Sequence, residues 1–207
     1  MDISEDAAVT NTGDVRTSDI QPCEIEAVLI EDEGHVYEIF RYEAATDVNG
    51  EACSQAGRLP WHSIKQGDAR QACEQIGWRL CSLEEITRAC QGVENRRYPY
   101  GARHVAGRCN IRDAYVVPGE AQSSVAPAGY FSECVSQDGV YDLTGNLWEW
   151  VSIEDETYRY YGAGFRFIAE RHRDEDHSCQ SYVTLPAVVG EPYLKDTVGF
   201  RCCRDVD

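Results

Sequence analysis

Residues 139–150, GVYDLTGNLWEW, hold a dense set of groups able to do chemistry. Asp142 and Glu149 offer carboxylates, and the backbone carbonyls of Gly145 and Leu147 add neutral oxygens between them. Calcium takes oxygen ligands of both kinds, roughly six to eight of them. Bringing them together needs a tight turn, and Gly145 can enter the left-handed backbone region at no steric cost. Beyond it, alternate carbonyls of an extended segment point the same way. The competing assignment is that Asp142 only stabilises the turn and that Glu149 pairs with an arginine.

A second set is Glu170, His172, Asp174, Asp176, His177 and Cys179. His172 and His177 would bind zinc or iron if a loop brought them together, a site for redox chemistry with Cys179 at hand. Their spacing does not put both on one helical face, and a solvated acidic loop balanced by Arg171 and Arg173 is the favoured account. A third set, Tyr158, Tyr160 and Tyr161 beside Arg159 and Arg166, combines the residue types enriched at binding hot spots if it faces outward. Phe165 and Phe167 read as core residues of a strand. No Gly-x-Ser-x-Gly elbow or glycine-rich phosphate loop is present, which removes serine hydrolase and P-loop chemistry.

The elements that must position these groups are short. Residues 139–150 read as strand, turn, strand. Upstream, Ile25, Ala27 and Leu29, then Val36, Tyr37, Ile39 and Phe40, predict a hairpin turning at Asp32-Glu33-Gly34. Ala69, Ala72, Cys73 and Ile76 predict a helix stopped by Gly77. Ser82 and Glu85 form a capping-box pair that opens a second helix ending near Gly92. Residues 92–139 read as a long, loop-rich middle.

The ten cysteines are Cys23, Cys53, Cys73, Cys81, Cys90, Cys109, Cys134, Cys179, Cys202 and Cys203. Their even number in a chain of this size points to disulfides and an oxidising compartment. No Cys-x-x-Cys pair is present, against a zinc ribbon or a thioredoxin-type site. Adjacent Cys202 and Cys203 on a strand point to opposite faces and are expected to bond different partners. The pairing itself is not set by spacing.

With 207 residues and 43% hydrophobic content, the chain builds one core. A formal charge of −17 argues against a nucleic-acid partner. Residues 1–21, rich in Asp, Ser and Thr, read as a flexible acidic tail or linker, leaving 22–207 as the domain. No transmembrane segment is visible. Because the cysteines imply an extracytoplasmic setting, secreted, periplasmic or surface-anchored, a leader or anchor beyond this chain is expected.

Several blocks, in order, resemble the formylglycine-generating enzyme (sulfatase-modifying factor) family. They are Leu59-Pro60-Trp61, Asp68-Ala69 to Cys73, the run from Gly77 through Arg79-Leu80 to Ile86, Tyr98-Pro99-Tyr100-Gly101, Cys109-Asn110-Ile111, residues 139–150, and Gly199-Phe200-Arg201-Cys202. The resemblance covers about residues 36–204 and implies an α+β, C-type-lectin-like fold, loop-rich and disulfide-stabilised, with two short helices and small antiparallel sheets. It also implies that Asn110 and the Ile111 carbonyl sit where the family binds a structural calcium. The distal carboxylate of that site has no clear counterpart, Asp113 and Glu120 being the candidates, and an asparagine after a cysteine is also an ordinary turn residue.

Catalysis is where the resemblance stops. Family enzymes follow a Gly-Gly-Ser-aromatic strand with two cysteines, five residues apart, that bind copper and oxidise a substrate cysteine. Copper(I) prefers such thiolates. The matching stretch here is residues 162–167, with Gly164 in place of the serine and Phe167 and His172 at the cysteine positions. No copper is therefore expected. The expectation is a pseudoenzyme, an acidic, calcium-stabilised binding module whose partner is a protein or glycan at a cell surface. The alternative is a metal-dependent oxidoreductase with a rearranged site around His172, His177 and Cys179.

Overall fold

The computed structural model describes residues 22–111, 115–119, 124–152, 158–166, 177–185 and 196–206. The tail assigned to residues 1–21 lies outside them.

The chain opens with the expected hairpin, β1 (Ala27–Asp32) and β2 (His35–Phe40), paired from Ala27↔Phe40 to Asp32↔His35. Its loop is Glu33-Gly34, and both residues have positive φ (46° and 92°). Two left-handed residues match the twist of the flanking strands, which is why glycine sits in the corner. A two-stranded ladder, β3 (Ala45–Thr46) with β4 (Ala52–Cys53), follows.

Helix α1 (Gln66–Gln75) buries Ala69, Ala72 and Cys73, the face read from their spacing. After β5 (Arg79–Leu80) comes α2 (Leu83–Gln91), entered through the Ser82/Glu85 capping box and left through Gly92 at φ 62°. The box satisfies two backbone donors that a helix start leaves open. Its buried face carries Ile86, Ala89 and Cys90.

Residues 139–150 depart from the strand-turn-strand reading. Only β6 (Trp148–Trp150) is a strand. The preceding segment is a compact loop in which Asp142, Gly145 and Asn146 all take positive φ, which an extended strand cannot accommodate. The remaining strands are β7 (Tyr158–Gly162), β8 (Tyr182–Leu185), β9 (Val198–Phe200) and β10 (Cys202–Asp205).

Two larger sheets result, ordered β1-β2-β10-β5 and β8-β7-β6-β9. The β6–β9 pair is parallel, so the second sheet is mixed rather than wholly antiparallel. Consecutive β9 and β10 lie in different sheets, and Arg201 is the single residue between them.

All ten cysteines are paired: Cys23–Cys53, Cys73–Cys202, Cys81–Cys203, Cys90–Cys179 and Cys109–Cys134. Cys202 and Cys203 do bond different partners. One ties α1 to β10, and the other ties the residue after β5 to the same strand. Among the described residues no helix is long and apolar enough to cross a membrane.

Candidate functional site: a buried carboxylate and arginine centre

Strand β6 and the step from β9 to β10 meet at Glu149 and Arg201. Glu149 lies in the middle of β6, and Arg201 leaves the sheet where the chain changes layers. The guanidinium donates from Nε to Glu149 Oε2 (3.0 Å) and from Nη2 to Glu149 Oε1 (2.8 Å). It also donates from Nη1 to the Phe40 carbonyl and from Nη2 to the Tyr141 carbonyl, both at 2.8 Å. Both side chains are shielded from water, at 0% and 2% exposure. Glu149 therefore has the arginine partner named as the competing assignment.

Glu43, just past β2, is buried in the same region and has no counterpart among the residues singled out from sequence. Asn146 Nδ2 donates to its Oε2 (2.5 Å) and the Leu147 N–H to its Oε1 (2.9 Å). Asn146 is the hub of the loop. Its N–H donates to the Asn110 carbonyl (2.8 Å), and its Oδ1 accepts from Asn110 Nδ2 (2.9 Å) and the Ala126 N–H (2.8 Å). Gly145 is required beside it. A Cβ there would lie 2.9 Å from Ile111 Cγ1 and 3.0 Å from the Asn110 carbonyl oxygen, and its φ is +99°.

Asp142 is buried, and the Gly129 N–H donates to its Oδ2 (2.8 Å). Burial pushes its carboxyl up to about 7, against opposing help from that hydrogen bond and from Arg201. Burial also raises the Glu43 carboxyl well above its usual range, with the charges of Asp142 and Glu149 adding to the effect. Three buried carboxylates thus share the field of one buried guanidinium. Full ionisation would leave surplus negative charge in a low-dielectric interior, which proton uptake or a bound cation relieves.

Calcium fits this centre in part. Asp142 is a buried carboxyl raised by desolvation, in the loop that leads through Gly145 to Leu147. Glu149 in this arrangement already gives both oxygens to Arg201. The Asn110 side chain is likewise engaged: Nδ2 donates to the Ser124 carbonyl (3.0 Å) as well as to Asn146, and Oδ1 accepts from the Tyr115 N–H (3.1 Å). Ile111 is buried next to Gly145. Asp113 and Glu120 lie outside the described residues.

The tyrosine surface needs correction. Tyr160 and Tyr161 are core residues, at 5% and 0% exposure, and Tyr158 is half-buried with its ring edge-on to Trp150. The cause is that both faces of β7 are covered: Tyr161 packs among Ile30, Tyr37 and Ile86, with its Oη donating to the Cys179 carbonyl (3.0 Å), and Tyr160 packs among Phe40, Trp150 and Phe200 on the other face. Of the second metal-capable set, Glu170, His172, Asp174 and Asp176 lie outside the described residues, as does Phe167. His177 is buried near Trp148, and Cys179 is bonded to Cys90, which removes its thiol from any metal site.

Comparison with known proteins follows the same lines. Residues 26–206 match the family described as sulfatase-modifying factor enzyme 1-like domain. The curated proteins named inactive C-alpha-formylglycine-generating enzyme 2, from Mus musculus and Bos taurus, are each 28% identical over 153 residues. That alignment takes in 70% of this chain but 48% and 50% of the two relatives, so the chain spans about half their length. Among solved structures, PvdO from Pseudomonas aeruginosa superposes with a TM-score of 0.60 at 14% identity, covering 89% of this chain and 92% of that one. Treponema denticola variable protein 1 gives 0.57 at 12% identity, covering 87% and 92%, and the Major Tropism Determinant M1 variant gives 0.56 at 11%, covering 88% and 54%. These structural likenesses bear on the fold alone, and with the two helices, small sheets and five disulfides they define a loop-rich, C-type-lectin-like α+β architecture. The match over most of its length makes this chain a member of the sulfatase-modifying factor enzyme 1-like domain family.

Proposed function

We propose that this domain is a non-catalytic binding module working outside the cytoplasm, built on the scaffold of a formylglycine-generating enzyme. The observation that carries the reading is the state of its cysteines. Every one is in a disulfide, Cys179 included, so no thiolate remains to hold copper or to exchange with a substrate cysteine. The relatives named as inactive enzymes support the same conclusion. Five disulfides in a domain of this size suit an oxidising compartment. The partner is a protein or glycan presented at a cell surface.

Calcium belongs to this proposal as a structural ion. Asp142 and the carbonyls of Gly145 and Leu147 would hold it, with Glu149 joining only by giving up an Arg201 contact. The ion would supply the positive charge that the buried carboxylates call for.

The test joins a thiol count on the denatured, unreduced protein to elemental analysis and an oxidase assay on cysteine-containing peptides. The expected result is no free thiol and no peptide oxidation. Two free thiols with bound copper, or turnover of the peptide, would overturn the reading in favour of an oxidoreductase.

A further inference from the structure

The chain carries 36 acidic and 19 basic Lys and Arg residues, yet residues 95–108 contain Arg96, Arg97, Arg103, His104 and Arg108 and no Asp or Glu. The structure gathers part of this stretch around a tight hairpin. The Tyr98 N–H donates to the Gly101 carbonyl (2.9 Å) and the Gly101 N–H to the Tyr98 carbonyl (3.0 Å), with Pro99 in the corner. The base is anchored, because the Cys179 N–H donates to the Arg97 carbonyl (2.8 Å) and Cys179 is bonded to Cys90.

An open cleft of about 400 Å³ lies on this hairpin, lined by Arg97, Tyr98, Ala102, Arg103 and His104. The Arg97 guanidinium sits 5.6 Å from the centre of the buried Tyr98 ring, and the His104 ring centre is 5.8 Å from the same ring. Tyr98 is braced in turn by Tyr100, stacked 5.7 Å away. Cation and imidazole therefore both lie against one buried aromatic ring, with the Arg97 side chain itself exposed to solvent.

Charge balance separates Arg103 of this cleft from the neighbouring arginines. Arg96 pairs with Glu94 (2.8 Å) and Arg108 with Glu133 (3.2 Å), both pairs outside the cleft lining. Arg103 is exposed and has no carboxylate partner among the described residues. Another cleft, lined by Asp32, His35, Tyr37, Arg79, Ser82, Glu84 and Glu85, differs in this respect. There Arg79 is already bound by Glu85 (2.6 Å) and Asp205 (2.5 Å).

We propose that the Arg97–Arg103–His104 cleft is a binding site for a compact oxyanion group, a sulfate ester or a carboxylate, on the ligand that the module recognises. The role as a recognition site rests on the binding-module reading; the anion site itself does not. A guanidinium offers paired N–H donors that match two oxygens of such a group. A concave wall concentrates the field of the cations over the cleft. The ligand is compact because the rest of the surface is acidic, with a net charge of −17, and repels a polyanion wherever it runs past the cleft. Screening confines the attraction to roughly 8 Å at physiological salt.

The test is a nuclear magnetic resonance titration of the intact, oxidised protein with inorganic sulfate, glucose 6-sulfate and glucuronate. The expected result is saturable shifts centred on Arg97, Tyr98, Arg103 and His104, with affinity falling about tenfold or more in Arg103→Gln. The surface control Arg70→Gln should leave it unchanged. Tighter binding of glucose 6-sulfate than of glucuronate assigns a sulfate ester, and the reverse order assigns a carboxylate. Equal binding of inorganic sulfate places recognition in the ion alone. Absence of saturation with all three, an unchanged affinity in Arg103→Gln, or far tighter binding of a long sulfated polymer would overturn the proposal. A thiol count showing free cysteines would instead sink the binding-module reading and leave the titration result standing.

Discussion

Glu149 and Arg201 form a two-pronged ion pair in the interior, with contacts of 3.0 and 2.8 Å where the chain crosses from one sheet to the other. The pair joins β6 to the β9–β10 step, and through the Phe40 and Tyr141 carbonyls it reaches both β2 and the loop before β6. Removing one partner of a buried pair leaves the other charge unmet, at a cost of about 3–5 kcal/mol. Arg201→Met is therefore expected to destabilise the oxidised domain by that amount, read as a lower urea midpoint. A midpoint within experimental error of the parent would mean that the pair contributes little.

Stability should fall as pH rises from about 4 to about 7. The Asp142 carboxyl is raised to about 7 when folded, while in the unfolded chain it has the ordinary value of about 4. Within that window the unfolded state gives up its proton first, so rising pH favours unfolding, and the effect levels off above 7. Glu43 acts in the same direction. Asp205, lowered to about 2 by hydrogen bonds from Arg79 and His35, acts below this window: its contribution is present above about 4 and is lost as pH drops through 2. Asp142→Asn should flatten the slope between 4 and 7, as measured by denaturation at several pH values. A slope unchanged by this substitution would remove Asp142 as its source.

Calcium offers a second handle on the same group. A cation at Asp142 would hold the carboxylate ionised and flatten the slope without mutation. It would also stabilise the fold by about 2.7 kcal/mol at a hundredfold excess over its dissociation constant. Melting curves in excess calcium and in excess chelator measure this directly. Identical curves across pH 4–8 after exhaustive chelation would leave proton uptake as the way the centre is neutralised.

Gly145→Ala should be costly. The added Cβ meets the Asn110 carbonyl oxygen at 3.0 Å and Ile111 Cγ1 at 2.9 Å, on a backbone with φ +99°. Such strain costs on the order of 1–3 kcal/mol, and it would be read as a lower melting temperature. Gly34→Ala, where a Cβ has no atom within 4 Å, separates the conformational part from the steric part because its φ is also positive.

Cys90 and Cys179 are 89 residues apart and fasten α2 to the segment before β8. Replacing both by alanine is expected to cost about 2–5 kcal/mol. The same variant would shift Arg97 resonances, since the Cys179 N–H holds the Arg97 carbonyl.

Much of the architecture could be read from neighbouring residues because its rules are local. The hairpin at Glu33-Gly34 needed only a glycine corner between alternating strands, and the Ser82/Glu85 box announced α2 within four residues. The opposed directions of Cys202 and Cys203 followed from the two-residue repeat of a strand. The centre itself depended on distance. Glu149 meets Arg201 across 52 positions and Glu43 meets Leu147 across 104, and no spacing rule links such residues. Tyr160 and Tyr161 read as an open surface from sequence, whereas the fold packs a core cluster against each face of β7. Local chemistry chooses turns, caps and strand faces, whereas burial is a property of what else packs there. Burial is what sets Glu149 against Arg201 inside the core and raises the Glu43 and Asp142 carboxyls above their ordinary range.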